Sequence, residues 1–136
     1  MAYLYSGTVT SEIASVCSLV SKIVEELKPA LEPSKLFDLR LVLSELMING
    51  CEHGNLNDRR KVVTLNLMVT DQRIDIVVRD EGSGFCYDVH SPSPQWTSCS
   101  GRGLRIVSSL CDIMEVKESM VRCVLYREME QSSSAV

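Results

Sequence analysis

The chain has 136 residues, 45% of them apolar and 24% charged, with a formal net charge of −4. That is the size and balance of one globular domain with a core of its own, and an acidic chain with no basic tail or Lys/Arg run argues against nucleic acid as a partner. No charged start leads into an apolar run, and nowhere do about 18 apolar residues follow one another, so neither a secretory signal nor a membrane span is expected.

Tyr3 to Val9 reads as a short strand. Thr10 or Ser11 then stands where a helix cap belongs, with Glu12 in the first turn. Ile13, Val16, Val20, Ile23, Val24 and Leu27 recur at helical spacing and form one apolar stripe that ends at Pro29. Pro33 suits the first turn of a second helix, along which Leu36, Leu39, Leu43, Leu46 and Met47 continue at steps of three and four. By the same period Glu45, Asn49 and Glu52 lie on a flank of that stripe and face a cleft beside the core. Gly54, with Asn55 and Asn57, closes the helix and opens a turn.

Lys61 to Val69 and Arg73 to Arg79 both alternate apolar and polar residues, and the TDQR between them makes an antiparallel hairpin. Asp80-x-Gly82-x-Gly84 ends the second strand. Sixteen residues without a period then separate Gly84 from Gly101, a connection far longer than the usual 4–6 or so and the kind that serves as a lid or binding segment. Gly101-Arg102-Gly103 opens a third helix with Leu104, Val107, Leu110 and Cys111 inward. A helix start preceded by glycines is a ready anion site. Ile113 to Lys117 and Met120 to Arg127 form a last hairpin, and the tail from 128 to 136 holds too little apolar surface to fold alone. Strands in hairpins with helices to one side imply an α+β, two-layer sandwich over a largely antiparallel sheet, one domain spanning 1–127.

The six cysteines are scattered without a CxxC pair, and His53 and His90 are the only histidines, so a zinc site is not expected and reduced thiols are. Each polar motif is weak by itself. Glu45 and Asn49 taken alone read as solvated helix surface, Asp80 with its glycines as a turn, and GRG lacks the third glycine and the preceding strand of a dinucleotide fingerprint. No GxxxxGK[ST] loop occurs. The chemistry they allow is nonetheless specific: an amide oxygen ligates Mg2+ without adding charge beside a triphosphate, a carboxylate one turn back accepts a hydroxyl proton, and an acid at a strand end accepts a nucleobase amino group.

Their order is what sharpens them. Glu45-x-x-x-Asn49, then Asp80-x-Gly82-x-Gly84, then Gly101-x-Gly103-Leu104 resembles the N, G1 and G2 boxes of the GHKL ATPase superfamily, which includes gyrase, MutL and sensor histidine kinases. The short chain, the ELxxNxxEH form of the first box and the brief lid look most like the RsbW-type anti-sigma-factor serine kinases, and the match runs from about Tyr3 to Arg127. The resemblance implies a Bergerat ATP-binding fold, a mixed but largely antiparallel sheet with helices on one face. It implies ATP and Mg2+ as cofactors, with Asn49 on the metal, Asp80 receiving the adenine amino group, and Gly82 and Gly84 shaping the base pocket. Backbone amides of Gly101, Arg102, Gly103 and Leu104 would hold phosphate, and Glu45 would be the general base.

The same resemblance implies a cytoplasmic homodimer, built through the N-terminal strand and first helix, that phosphorylates a serine on a STAS-domain antagonist and binds a sigma factor or similar regulator. The alternative is an ATP-binding module that sequesters such a regulator without transferring phosphate. One departure favours that alternative: the last strand of these kinases carries a Gly-Thr-Thr-like turn whose hydroxyl supports the adenine-binding acid, and here Met120, Val121 and Arg122 stand in its place. Histidine-kinase chemistry is disfavoured, since no helical hairpin with a phosphoacceptor precedes the domain. His53, His90 and Trp96 receive no role.

Overall fold

The computed structural model describes residues 2–82 and 101–127. In chain order these form β1 (Tyr3–Thr10), α1 (Ile13–Leu27), α2 (Pro33–Asn49), a π-helical turn (Gly50–Gly54), β2 (Val62–Val69), β3 (Arg73–Arg79), α3 (Gly101–Leu110), β4 (Ile113–Lys117) and β5 (Met120–Tyr126). Gly84, His90, Trp96, the rest of the connection before α3 and the tail from 128 lie outside the described residues.

The strands make one sheet in the order β1-β2-β3-β5-β4, and every described pairing is antiparallel. Alternation decides which face is covered. Val63, Leu65, Leu67 and Val69 of β2, Ile74, Ile76 and Val78 of β3, and Val121, Cys123 and Leu125 of β5 all point to one buried face. Against it pack the apolar stripes of α1 (Val16, Val20, Ile23, Val24, Leu27) and α2 (Leu39, Val42, Leu43, Leu46, Met47), with Leu104 and Val107 of α3. This is the expected α+β sandwich with its helices on one side.

Local chemistry explains most boundaries. Pro33 opens α2 at a position where its missing N–H costs nothing. The turn after the π segment reverses through Leu56 and Asn57, both with positive φ, and the β4–β5 turn does so at Glu118.

Two boundary expectations fail. The residue preceding α1 is Glu12, which makes no side-chain capping bond. Ser11 is instead buried, its backbone N–H and its hydroxyl both donating to the Lys61 carbonyl, at 3.2 and 2.8 Å. Its oxygen accepts the Asn55 amide at 2.8 Å, so the hydroxyl is turned toward partners 44 and 50 residues away and not toward the start of α1. The second departure is at the end of α2, which widens into the π turn before Asn55. Such widenings occur frequently at functional sites.

Candidate functional site

The segment from Glu45 to Gly54 forms one wall of the candidate site, and its nine steps at about 1.5 Å each span roughly 13–14 Å. At one end of the wall lies Asp80. The end of β3 delivers it, its N–H donates to the Ser119 carbonyl at 3.0 Å, and its carboxylate accepts the Gly82 N–H at 2.8 Å. The carboxylate sits directly on Gly54, where any Cβ would overlap both its oxygens. A Cβ at Gly82 would in turn collide with the Gly54 carbonyl, and one at Gly50 would stand 3.7 Å from the Asp80 Cβ. Three glycines therefore bring bare backbone around one acid. Partial burial raises the Asp80 pKa above the ordinary carboxylate value; the Gly82 N–H and the Lys61 charge act against that rise.

At the other end stand Glu45 and Asn49. The Glu45 carboxylate lies against Gly103 in the first turn of α3, in space that a Cβ there would fill. Asn49 is only 4% exposed. Its Nδ2 donates to the Glu45 carbonyl at 2.9 Å, while Oδ1 is buried without a hydrogen-bond partner among the described residues. An orphaned buried acceptor costs free energy, and a neutral oxygen in that condition suits a hard cation. No cluster of three or more His, Cys, Asp or Glu suited to a metal is found among the described residues. A cation here would take one protein oxygen and complete its shell with water and phosphate, the usual habit of Mg2+.

Beside Glu45, against which Gly103 lies, α3 begins at Gly101, so the N–H groups of Gly101, Arg102, Gly103 and Leu104 are its first four and have no partner within the helix. They carry the positive end of the helix dipole to the neighbourhood of Glu45 and Asn49. Leu104 itself is buried, anchoring this start to the core.

The structure thus groups Asp80 with Gly54 and Gly82, and Glu45 with Asn49 and Gly103, the two groups joined along the Glu45–Gly54 segment. Glu52 is exposed and makes no part of either group. Three residues to which the sequence assigns no chemistry help build the site: Gly50, Gly54 and Asn55, the last two read only as the end of the helix and its turn. Glycines inside an otherwise helical pattern were the available signal, because each costs helix stability and so calls for a packing reason. Cys51, beside them, is fully buried, and burial with the nearby Glu52 charge pushes its thiol up to about 11. It is therefore uncharged at neutral pH. Cys17, Cys51, Cys111 and Cys123 are all free thiols, as expected.

The family model of the histidine kinase-like ATPase domain matches residues 9–126. An anti-sigma F factor of Shouchella clausii is 28% identical over 113 residues, covering 79% of this chain and 76% of the relative. Those of Oceanobacillus iheyensis and Clostridium perfringens are 29% identical over 102 residues (71% and 68% covered) and 28% identical over 118 (81% and 83%). On the family match over most of its length, the chain belongs to the histidine kinase-like ATPase domain family of the GHKL superfamily.

Proposed function

We propose that the chain is an ATP- and Mg2+-dependent protein-serine kinase acting as an anti-sigma factor or a similar partner-switching regulator, with a serine of a STAS-domain antagonist as its substrate. The observation that carries this reading is the juxtaposition of the Glu45 carboxylate, the Asn49 oxygen, which has no partner among the described residues, and the start of α3. Phosphoryl transfer asks an enzyme for positioning, neutralisation of charge and acceptance of a proton.

In this reading each residue has one task. Asp80 accepts the adenine amino group, while Gly54 and Gly82 keep the base close to backbone. The N–H groups from Gly101 to Leu104 hold phosphate oxygens. Asn49 is the protein ligand of Mg2+, which when bound neutralises the triphosphate. Glu45 takes the proton of the attacking serine hydroxyl, and its place against the bare Gly103 keeps it beside the phosphate-binding turn.

Glu45→Gln separates transfer from binding. With a STAS-domain antagonist, radiolabelled ATP and Mg2+, the variant should bind ATP within about threefold of wild type but transfer phosphate roughly 10²–10⁴-fold more slowly, the usual contribution of a general base. Transfer at the wild-type rate would remove Glu45 from that role.

A second reading, sequestration of a regulator without phosphoryl transfer, is favoured by β5, where Met120, Val121 and Arg122 stand in place of the turn whose hydroxyl the family resemblance leads one to expect, Val121 being buried. A wild-type protein that binds ATP but labels no STAS antagonist would establish that reading instead.

The homodimer we propose would use β1 and α1. In support, β1 pairs only with β2 among the described strands, and Leu4 on it is 73% exposed, an unpaired and apolar edge that a second copy can cover. Sedimentation equilibrium should give twice the chain mass, falling to a monomer for Leu4→Glu; a wild-type monomer at micromolar concentration would contradict the proposal.

A further inference from the structure

Asn55 is the most completely buried polar residue described, at 0% exposure, and each end of its amide is engaged. Nδ2 donates to the Ser11 hydroxyl at 2.8 Å and to the Val62 carbonyl at 2.9 Å, and Oδ1 accepts the N–H of Glu81 at 2.7 Å. Its backbone N–H donates to the Gly50 carbonyl at 2.8 Å, closing the π turn. One side chain thus joins the β1–α1 junction, the start of β2 and the peptide immediately after Asp80.

That last bond is the consequential one. Asp80 leaves the end of β3 with its own N–H held by Ser119, and the next peptide is fixed by Asn55. The Glu81 side chain adds a second tie, its Oε2 accepting the Val62 N–H at 2.6 Å. With both flanking peptides pinned, the Asp80 carboxylate rests on Gly54, adjacent to Asn55 in the chain. Without Asn55 the Glu81 N–H would lose its acceptor. The Asp80–Gly82 turn would then be free to swing toward solvent, carrying the carboxylate off the glycine floor.

We infer that Asn55 is a positioning residue for base recognition: through the Glu81 peptide it aims the Asp80 carboxylate at the exocyclic amino group of the bound purine. This rests on the reading of Asp80 as the acid that receives the adenine amino group, and the test distinguishes the two.

Calorimetry with ATP and with N6,N6-dimethyl-ATP, which lacks the amino hydrogens, measures how well Asp80 is aimed. Wild type should prefer ATP by roughly ten- to a hundredfold, as one charged hydrogen bond allows. Asn55→Ala should reduce that preference to about threefold or less, through weaker ATP binding, with dimethyl-ATP affinity nearly unchanged. Asn55→Asp keeps an oxygen for the Glu81 N–H while losing the two donations, so it should melt earlier yet restore most of the preference, giving a folded protein in which to read the effect. Ser11→Ala, which removes one partner and leaves the Glu81 bond, should keep it too.

Equal weakening of both nucleotides in Asn55→Ala, or a preference left intact there, would overturn the inference for Asn55 alone. Should the alanine variant not fold, loss of the preference in Asn55→Asp would overturn it equally. A wild-type protein indifferent to N6 methylation would overturn the Asp80 reading, and the inference with it.

Discussion

At the scale of single residues, the candidate site is built from groups whose state in the empty protein is unfavourable. The Asn49 oxygen has no partner among the described residues, and Asp80 is partly desolvated. For Asp80 the sign of the consequence is fixed. Its folded pKa lies above the unfolded value of 3.8, so the stability linked to its proton is complete below that value and is lost as pH rises through the folded pKa. At neutral pH the ionised acid therefore destabilises the nucleotide-free fold. Asp80→Asn should raise the melting temperature at pH 7 by at most a few degrees, since solvent screening of a half-exposed group keeps the effect under about 1 kcal/mol. Differential scanning calorimetry of the nucleotide-free proteins checks it, and a lower melting point for Asp80→Asn would show that the carboxylate is held favourably. The same pKa bears on binding. An adenine amino donor bonds the ionised form more strongly, so ATP affinity should weaken as pH is lowered from 7 through the raised pKa.

At the scale of elements, the site depends on how β3, β5 and α2 meet. Val78 pairs with Val121 and Asp80 N bonds Ser119, so Val121 is the diagonal neighbour of Asp80 on the covered face. Val121→Thr would place a hydroxyl there with little change of shape. It should tighten ATP binding by about two- to tenfold while costing about 1 kcal/mol of stability for the buried hydroxyl, as the free protein offers it an incomplete set of partners. Unchanged affinity would mean that β5 does not support the acid. These element positions were largely legible in the sequence. The stripes of α1 and α2 and the alternation of β2, β3 and β5 follow from periods set by the backbone itself. The misses share one physical cause. Ser11 reads locally as a helix cap and Asn55 as a turn residue, but their partners are Lys61, Val62 and Glu81, brought near only by the fold. The π turn escaped for a related reason, because GCEHG continues a helical pattern acceptably until Asp80 must rest on Gly54. Likewise, the pattern of β4 and β5 predicts a hairpin without saying that β5, and not β4, lies against β3.

At the scale of the whole molecule, one antiparallel sheet under three described helices holds the N-box helix, the end of β3 and the start of α3 at the candidate site. The family match confirms the architecture that this order of motifs suggested. No described helix is long and apolar enough to cross a membrane. On the proposed function the candidate site takes ATP lengthwise, with the base on Asp80 and Mg2+ on Asn49. Calorimetric titration with ATP, with Mg2+ and with EDTA in its place, tests this most directly across wild type, Asn49→Ala and Asp80→Asn. Wild type should bind more tightly with Mg2+, Asn49→Ala should lose most of that metal-dependent gain, and Asp80→Asn should show no measurable binding in either condition. Near-native ATP affinity in Asp80→Asn, or a full Mg2+ effect in Asn49→Ala, would contradict the account.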